Sequence, residues 1–247
     1  MKKIYLIIGI IIALGITGYF YQKSKADIYG SSLIGWWRFD TNDDLNGVTL
    51  DRSGNGYNGN LVNIATSTFY SIGKIGQGFN FDGVDDYISV PYNASLKLNN
   101  TGSVSLWVKP SVTSPSQTRN LITYGGLTYN NGYLLNQYDT SLRVYWMNGA
   151  AAITVNNAFT ANTWSHIAFT QNNGSLFAYV NGVQAGASTT VLAIVNNYAT
   201  YIGGIPTNWR ETGIIDDARV YGRALSANEI AQLYNMGQTQ FHSFGDF

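Results

Sequence analysis

The stretch "GIIDDARVYGRALSANEIAQLYN", residues 213–235, decides the reading of this chain. Residues 214–221 read as a strand, so Ile214, Asp216, Ala218 and Val220 share one face, and Ile215, Asp217, Arg219 and Tyr221 the other. The first face is expected to look inward, which sets Asp216 among apolar neighbours. An ionised carboxylate buried there without a partner is costly, so it must find a partner or take up a proton. An arginine, the backbone N–H groups of a nearby loop, or a metal ion would serve. The second half switches to helix. Ser226 stands at an N-cap with Glu229 three residues on, a capping box, followed by Ile230, Leu233 and Tyr234 at helical spacing and by Gly237 as the expected stop.

Upstream, short alternating runs are cut by Gly, Asn and Asp. "LIGWWRFD" (33–40), "GFNFDG" (78–83), "DYISVP" (86–91), "SVSLWVKP" (103–110), "YLLNQY" (133–138), "SLRVYWM" (141–147), "AAITV" (151–155), "WSHIAFTQ" (164–171) and "SLFAYVNGV" (175–183) all read as strands. "NNG" at 130–132 and 172–174 and "NG" at 148–149 and 181–182 are hairpin signals, because Asn and Gly tolerate positive φ. Many strands at close spacing imply an all-β sandwich or barrel, and the single helix is expected to lie on its outside.

The chain has 247 residues, 45% hydrophobic, which suits one substantial core. It is divided as an N-terminal segment, 1–26, one domain, 27–237, and a tail, 238–247. Formal charge is zero, but four of the lysines (Lys2, Lys3, Lys23, Lys25) lie in the first 25 residues. Without them 10 basic residues face 14 acidic ones, a net of −4. That balance argues against nucleic acid, whose phosphates need clustered Lys and Arg. The absence of cysteine excludes disulfides, zinc thiolates and a thiol nucleophile. Residues 4–22 carry no charge and are long enough to cross a bilayer as a helix. A signal peptide cut after Ala26 would secrete the domain. An uncleaved transmembrane anchor with the domain at the cell surface is favoured, since the apolar run exceeds a usual signal core and Lys23 and Lys25 follow it.

The order "GWWRFD", "DRSGNGYNGNL", "GKIGQGFNFDGVDDYISVP", "SVSLWVKP", "WSHIAFT", "AYVNGV", "YIGG" and "GIIDDARVYGRALSANEIAQLYN" closely resembles the laminin-G-like domains of bacterial surface proteins, in the concanavalin A-like lectin/glucanase superfamily. The resemblance spans roughly residues 33–237. It implies a jelly-roll sandwich of two antiparallel sheets with the last strand near the first, and a structural calcium where these segments meet. On that resemblance Asp40, Asn55 and Asp216 are the expected ligands, followed by Asp51 and Asp217. Acid- and amide-rich loops at 39–47 and 51–60 supply the hard oxygen donors calcium takes, although Asp51, Asn55 and Asn58 read equally well as turn caps.

The same fold carries glucanases, but the residues do not favour catalysis. Retaining glycosidases need a close carboxylate pair. The chain has two glutamates: Glu229 belongs to the capping box and Glu211 to a loop, "NWRETG". His166 reads as a strand residue rather than a base. Binding is the better expectation, with sugar rings stacked on aromatics. Trp209, Tyr129, Trp146 and Tyr138 are the candidates, whereas Trp36, Trp37, Trp107 and Trp164 are assigned to packing. The expected partner is a glycan or a surface protein. The alternative is a structural envelope protein that self-associates or docks through the Phe-containing tail.

Overall fold

The computed structural model describes residues 30, 32–64, 69–114, 116–125, 132–146, 151–189 and 197–239. Their strands are, in chain order, β1 (Leu33–Trp37), β2 (Val48–Thr49), β3 (Gly59–Val62), β4 (Tyr70–Ile72), β5 (Gln77–Asp82), β6 (Tyr87–Val90), β7 (Thr101–Pro110), β8 (Thr118–Tyr124), β9 (Tyr133–Tyr138), β10 (Ser141–Trp146), β11 (Ala151–Val155), β12 (Ser165–Asn172), β13 (Ser175–Val180), β14 (Val183–Thr189), β15 (Thr200–Ile202) and β16 (Thr212–Tyr221). They form two antiparallel sheets. The first runs β14-β13-β12-β7-β16-β5-β4 with β1 also on β16, and the second runs β11-β10-β9-β8-β15-β6-β3-β2. Strand 16 therefore pairs with the first strand, as the resemblance implied. Two expected hairpins form: Asn173 and Gly174 join β12 to β13, and Asn181 and Gly182 join β13 to β14, all four at positive φ. The other two expected turns, at 130–132 and 148–149, are outside the described residues or largely so. So are the N-terminal segment and residues 240–247; no described helix is long and apolar enough to cross a membrane.

Alternation fills the space between the sheets. Leu106 and Val108 of β7, Ile167 and Phe169 of β12, Ile122 and Tyr124 of β8, and Tyr133 and Leu135 of β9 meet there with Trp37, Phe79 and Trp146. The residues between them face away.

Strand 16 departs from simple alternation. Asp216 pairs with Trp107 and Arg219 with Ser105, so two residues of β16 oppose one of β7, a β-bulge, with Asp217 at φ 52°. The extra residue shifts the phase. Ile215 before the bulge and Ala218 and Val220 after it all enter the core, while Asp216 looks to the outer face with Trp107. The expectation that Asp216 shares the inward face of Ala218 and Val220 is thus corrected. It is nonetheless fully buried, beneath the turn that joins β4 to β5. Its Oδ2 accepts the N–H groups of Lys74 at 2.7 Å and Ile75 at 2.8 Å, the loop-amide solution among the three expected from sequence. Oδ1 has no partner among the described residues. Burial, reinforced by the neighbouring Asp217, raises its pKa well above the ordinary carboxyl value, against the pull of those two amides.

Glu211 stands in the loop immediately before β16, as expected, and is fully buried there. Neither carboxyl oxygen meets a donor at good hydrogen-bond geometry among the described residues. Burial pushes its pKa up to about 8, with the Arg119 guanidinium and the Thr212 amide only tempering the effect.

One helix, α1 (Ala227–Thr239), covers the outer face of the first sheet. The capping box is present: Glu229 Oε2 accepts Ser226 N–H at 2.8 Å, Ser226 Oγ accepts Glu229 N–H at 3.3 Å, and Arg223 holds the same carboxylate with two guanidinium N–H groups. Ile230 and Leu233 bury against Leu33, Ala168, Tyr179 and Tyr221. Gly237 does not stop the helix, as the sequence suggested. It lies inside it because the Trp107 indole packs so close that an added Cβ would fall 2.4 Å from Trp107 Cζ2.

These contacts set expected outcomes in chemical denaturation. Asp216→Ala strands two backbone N–H groups and should cost roughly 2–4 kcal/mol. Asp216→Asn keeps an acceptor for both and should cost less. A buried carboxyl with a raised pKa holds its proton more tightly in the folded than in the unfolded state. Its contribution to stability is complete below the ordinary carboxyl range and is lost as pH rises, for Glu211 through about pH 8. Glu211→Gln should therefore flatten the fall in stability between pH 5 and pH 8; an unchanged pH profile would contradict the assignment. Ser226→Ala should cost about 1 kcal/mol.

Candidate functional site

The five expected metal ligands gather at the meeting of β1, the 51–58 loop, the 73–76 turn and β16, but they do different work. Asp51 accepts four hydrogen bonds, from Trp36 N–H, Ser53 N–H, Ser53 Oγ–H and Tyr57 N–H, at 2.8–3.0 Å. Asn55 Nδ2 donates to the carbonyls of Leu33 and Ile34, pinning the same loop to β1. Asp217 accepts Trp36 Nε1–H at 2.6 Å and pairs with buried Arg219, whose guanidinium lies 4.6 Å from the Trp36 ring centre. Asp40 Oδ1 accepts Gln77 N–H at 2.9 Å, with Arg38 Nε 3.7 Å from Oδ2. Calcium requires six to eight oxygens converging on one point. Most of these acceptors are engaged by amides, an indole and a guanidinium, and Asn55 turns its donor inward; Asp216 Oδ1, buried and without a hydrogen-bond partner among the described residues, is left open. The turn-capping reading of Asp51, Asn55 and Asn58 is the one the hydrogen bonds follow; Asn58 Oδ1 accepts Asp51 N–H at 2.9 Å.

Asp43, not singled out from sequence, is the strongest ion-pair centre of this region. Burial would raise its pKa, but hydrogen bonds from Arg38 and Arg52 hold it below the ordinary value. Nothing local marks it, because its partners stand 5 and 9 residues away on other segments.

The carboxylates that do converge are Asp82, Asp85 and Asp86, whose oxygens lie within 4.8 Å of one another. Asp82 and Asp85 are exposed; Asp86 is buried and accepts Asp82 N–H at 3.0 Å. They border the outward face of the second sheet. There Ile88 and Ile202 point into the core, which turns Tyr87, Ser89 and Tyr201 outward. Tyr201 pairs with Thr123 on one side and Ser89 on the other, and Ser89 with Asn60, giving a polar row across four strands. The half-buried rings of Tyr87 and Tyr201 lie 6.1 Å apart, edge to face, and the Arg210 guanidinium sits 4.6 Å from the Tyr87 ring centre.

This face also collects part of the expected aromatic set. Trp209, at φ 55°, is half-buried next to Arg210, and its carbonyl accepts Asn120 N–H at 2.8 Å. Farther along, Tyr138 is half-buried with the Arg143 guanidinium 3.5 Å from its ring centre. Between the two patches lie Asn120 and Asn136, paired across β8 and β9 and fully buried; Asn136 has no partner for either amide atom among the described residues. Trp146 is corrected to a core residue, packed edge-on against Phe169 and stacked near Tyr133. Tyr129 lies outside the described residues. Nothing in the sequence marks Tyr87 and Tyr201 beyond the alternation that buries Ile88 and Ile202.

Neither glutamate is available to this face. Glu229 caps the helix and Glu211 is sealed inside. Burial drives the His166 pKa down to about 3, so it is neutral, packed 5.1 Å from the Trp107 ring.

No curated protein matches the chain significantly in sequence. Among solved structures, domain 4 of AbnA, a GH43 extracellular arabinanase from Geobacillus stearothermophilus solved with arabinotriose, aligns with 24% identity and a TM-score of 0.65, over 82% of this chain and 98% of that one. The binding domain of Paraclostridial Mosquitocidal Protein 1 aligns at 19% identity and TM-score 0.66, over 85% of this chain and 53% of the other. The binding domain of botulinum neurotoxin serotype D gives 19% and 0.66, over 88% and 53%. The chain thus spans about half the length of the toxin domains it matches. At these identities the likeness is one of fold. A laminin G family of the concanavalin A-like lectin/glucanases superfamily matches residues 82–231, more than half of the sequence, and the chain belongs to that family.

Proposed function

We propose that the protein is a non-catalytic carbohydrate-binding module that works at the outer cell surface and takes its ligand on the outward face of the second sheet. The observation that carries this reading is the pair of half-buried tyrosines, Tyr87 and Tyr201, held edge to face with Arg210 over one ring. Sugars are bound by aromatic faces that cover their C–H surfaces, flanked by a few fixed hydrogen-bonding groups. Ser89, Asn60, Thr123 and the Asp82–Asp86 carboxylates supply such groups within the same patch. Support comes from the fold: a structural neighbour was solved with arabinotriose, and a botulinum neurotoxin D ligand-binding domain with N-acetylneuraminic acid. The uncharged segment 4–22 is proposed to tether the domain outside the membrane.

In this reading the loop amides of Lys74 and Ile75, rather than a shared ion, are what hold β16. The full chain in mild detergent, titrated with a panel of plant and bacterial polysaccharides, should bind at least one. Tyr87→Ala/Tyr201→Ala should weaken that binding about tenfold or more, the equivalent of about 1.4 kcal/mol. A variant that keeps full affinity for every bound polysaccharide would move the site elsewhere. Chelation should leave both the affinity and the melting temperature unmoved; a drop of several degrees would restore calcium to Asp40 and Asp216.

A further inference from the structure

On the opposite side of the molecule, the outer face of the first sheet holds a cleft of about 410 Å³. Its floor is Lys109 and Ile214, paired across β7 and β16, with Trp164 one residue before β12. One wall is the β4–β5 segment of Ile72, Gly73 and Lys74; the other is the last turn of α1 at Gly237 and Gln238. That volume lies in the range of small-ligand sites, about 300–1,000 Å³.

Its chemistry is unusual for this chain. Beyond residue 26 the sequence has only three lysines, Lys74, Lys97 and Lys109, in a stretch of net charge −4. Two of the three line this cleft, and no described carboxylate lies within ion-pair distance of either. Lys74 Nζ sits 5.1 Å from the Trp107 ring centre, and the nearest buried acid behind the wall, Asp216, gives its Oδ2 to the Lys74 and Ile75 amides. Ile72 is 71% exposed at the rim, an apolar side chain left open to solvent. Trp164, half-buried, adds an aromatic side chain to the lining of the same cleft. The end of α1 is the negative pole of its dipole and disfavours an anion on that wall. A ligand must therefore direct its negative group toward the lysines and its neutral, hydroxyl-bearing part toward the helix.

We infer that this cleft is a second carbohydrate subsite selective for an acidic sugar residue, with the sugar carboxylate at Lys74 and Lys109 and the ring on Trp164. Two ammonium groups around one carboxylate give charge-assisted hydrogen bonds, stronger than those between neutral groups. The preference for charge belongs to this cleft and not to the tyrosine face.

The test is binding of polygalacturonate by the full chain in mild detergent, against its fully methyl-esterified form, which has the same rings without the charge. Polygalacturonate should bind about tenfold or more tightly than the ester, with the difference shrinking as salt is raised. Lys74→Gln/Lys109→Gln should abolish the difference; Lys109→Gln alone, at a half-buried side chain that makes no ion pair, serves where the double variant melts early. Trp164→Ala should weaken both forms. Tyr87→Ala/Tyr201→Ala should leave the preference for the charged form intact, so the failure of one site is distinguishable from the failure of the other. Equal affinity for the two polymers, or a preference that survives loss of both lysines, would overturn the inference.

Discussion

The contact between the Asp216 carboxylate and the Lys74 and Ile75 amides holds the rest of the architecture in register. Strand 16 lies at the centre of the first sheet, touching β1, β5 and β7, and its bulge sets which of its residues enter the core. A one-residue shift in a strand exchanges its faces. Before the bulge Ile215 is the core residue; after it Ala218 and Val220 are. The residues turned outward by this shift, Asp216, Arg219 and Tyr221, are then buried a second time, by the β4–β5 turn and by α1. A carboxyl group in that layer is held by the two amides that bind one of its oxygens.

The outer layer on the first sheet explains several residues that a two-sheet sandwich alone would not. Trp107 is a β7 residue that faces away from the main core, yet it is 1% exposed because Tyr234 stacks on it and Gly237 lets the helix approach. His166 beside it is neutral for the same reason, burial among rings, with the nearby Arg219 charge acting in the same direction. The second sheet has no described helix on its outward face, and there Tyr87, Ser89, Asn60, Thr123 and Tyr201 stand in place of an apolar stripe that would seat one. The two faces thus differ in what they can meet: one is largely covered by α1 and the β4–β5 turn, with clefts beside them, and the other presents rings and polar groups across several strands.

Much of the fold was legible. Alternation in "SVSLWVKP" and "WSHIAFTQ", the Asn-Gly turns after β12 and β13, and the Ser226–Glu229 box all correspond to elements found. What was not legible depends on pairing over long separations. The phase of β16 turns on a bulge whose partner residues, 105 and 107, stand more than a hundred positions away, so strict alternation assigned Asp216 to the wrong face. Gly237 resembled a stop signal because nothing nearby in sequence shows Trp107 lying under it. Trp146 resembled a surface aromatic at the end of a strand, but β10 alternation with Leu142 and Val144 already pointed it inward. For the expected metal ligands, residue type and resemblance supply the candidates, but hydrogen-bond occupancy, which bears on whether an oxygen is open to an ion, has no local signature.

Charge placement carries the functional argument further than residue type does. The seven arginines are each engaged: Arg38 and Arg52 on Asp43, Arg219 on Asp217, Arg223 on Glu229, Arg119 on Gln117, and Arg143 and Arg210 over tyrosine rings. Arginine is suited to this, since its planar fork binds carboxylates in pairs and stacks on aromatic faces. Lysine is the mobile, strongly hydrated charge, and the lysines of the described residues make no ion pair with any described acid. In a domain of net negative charge, random placement would scatter three such groups over the surface. Two of them instead line one cleft together with Trp164.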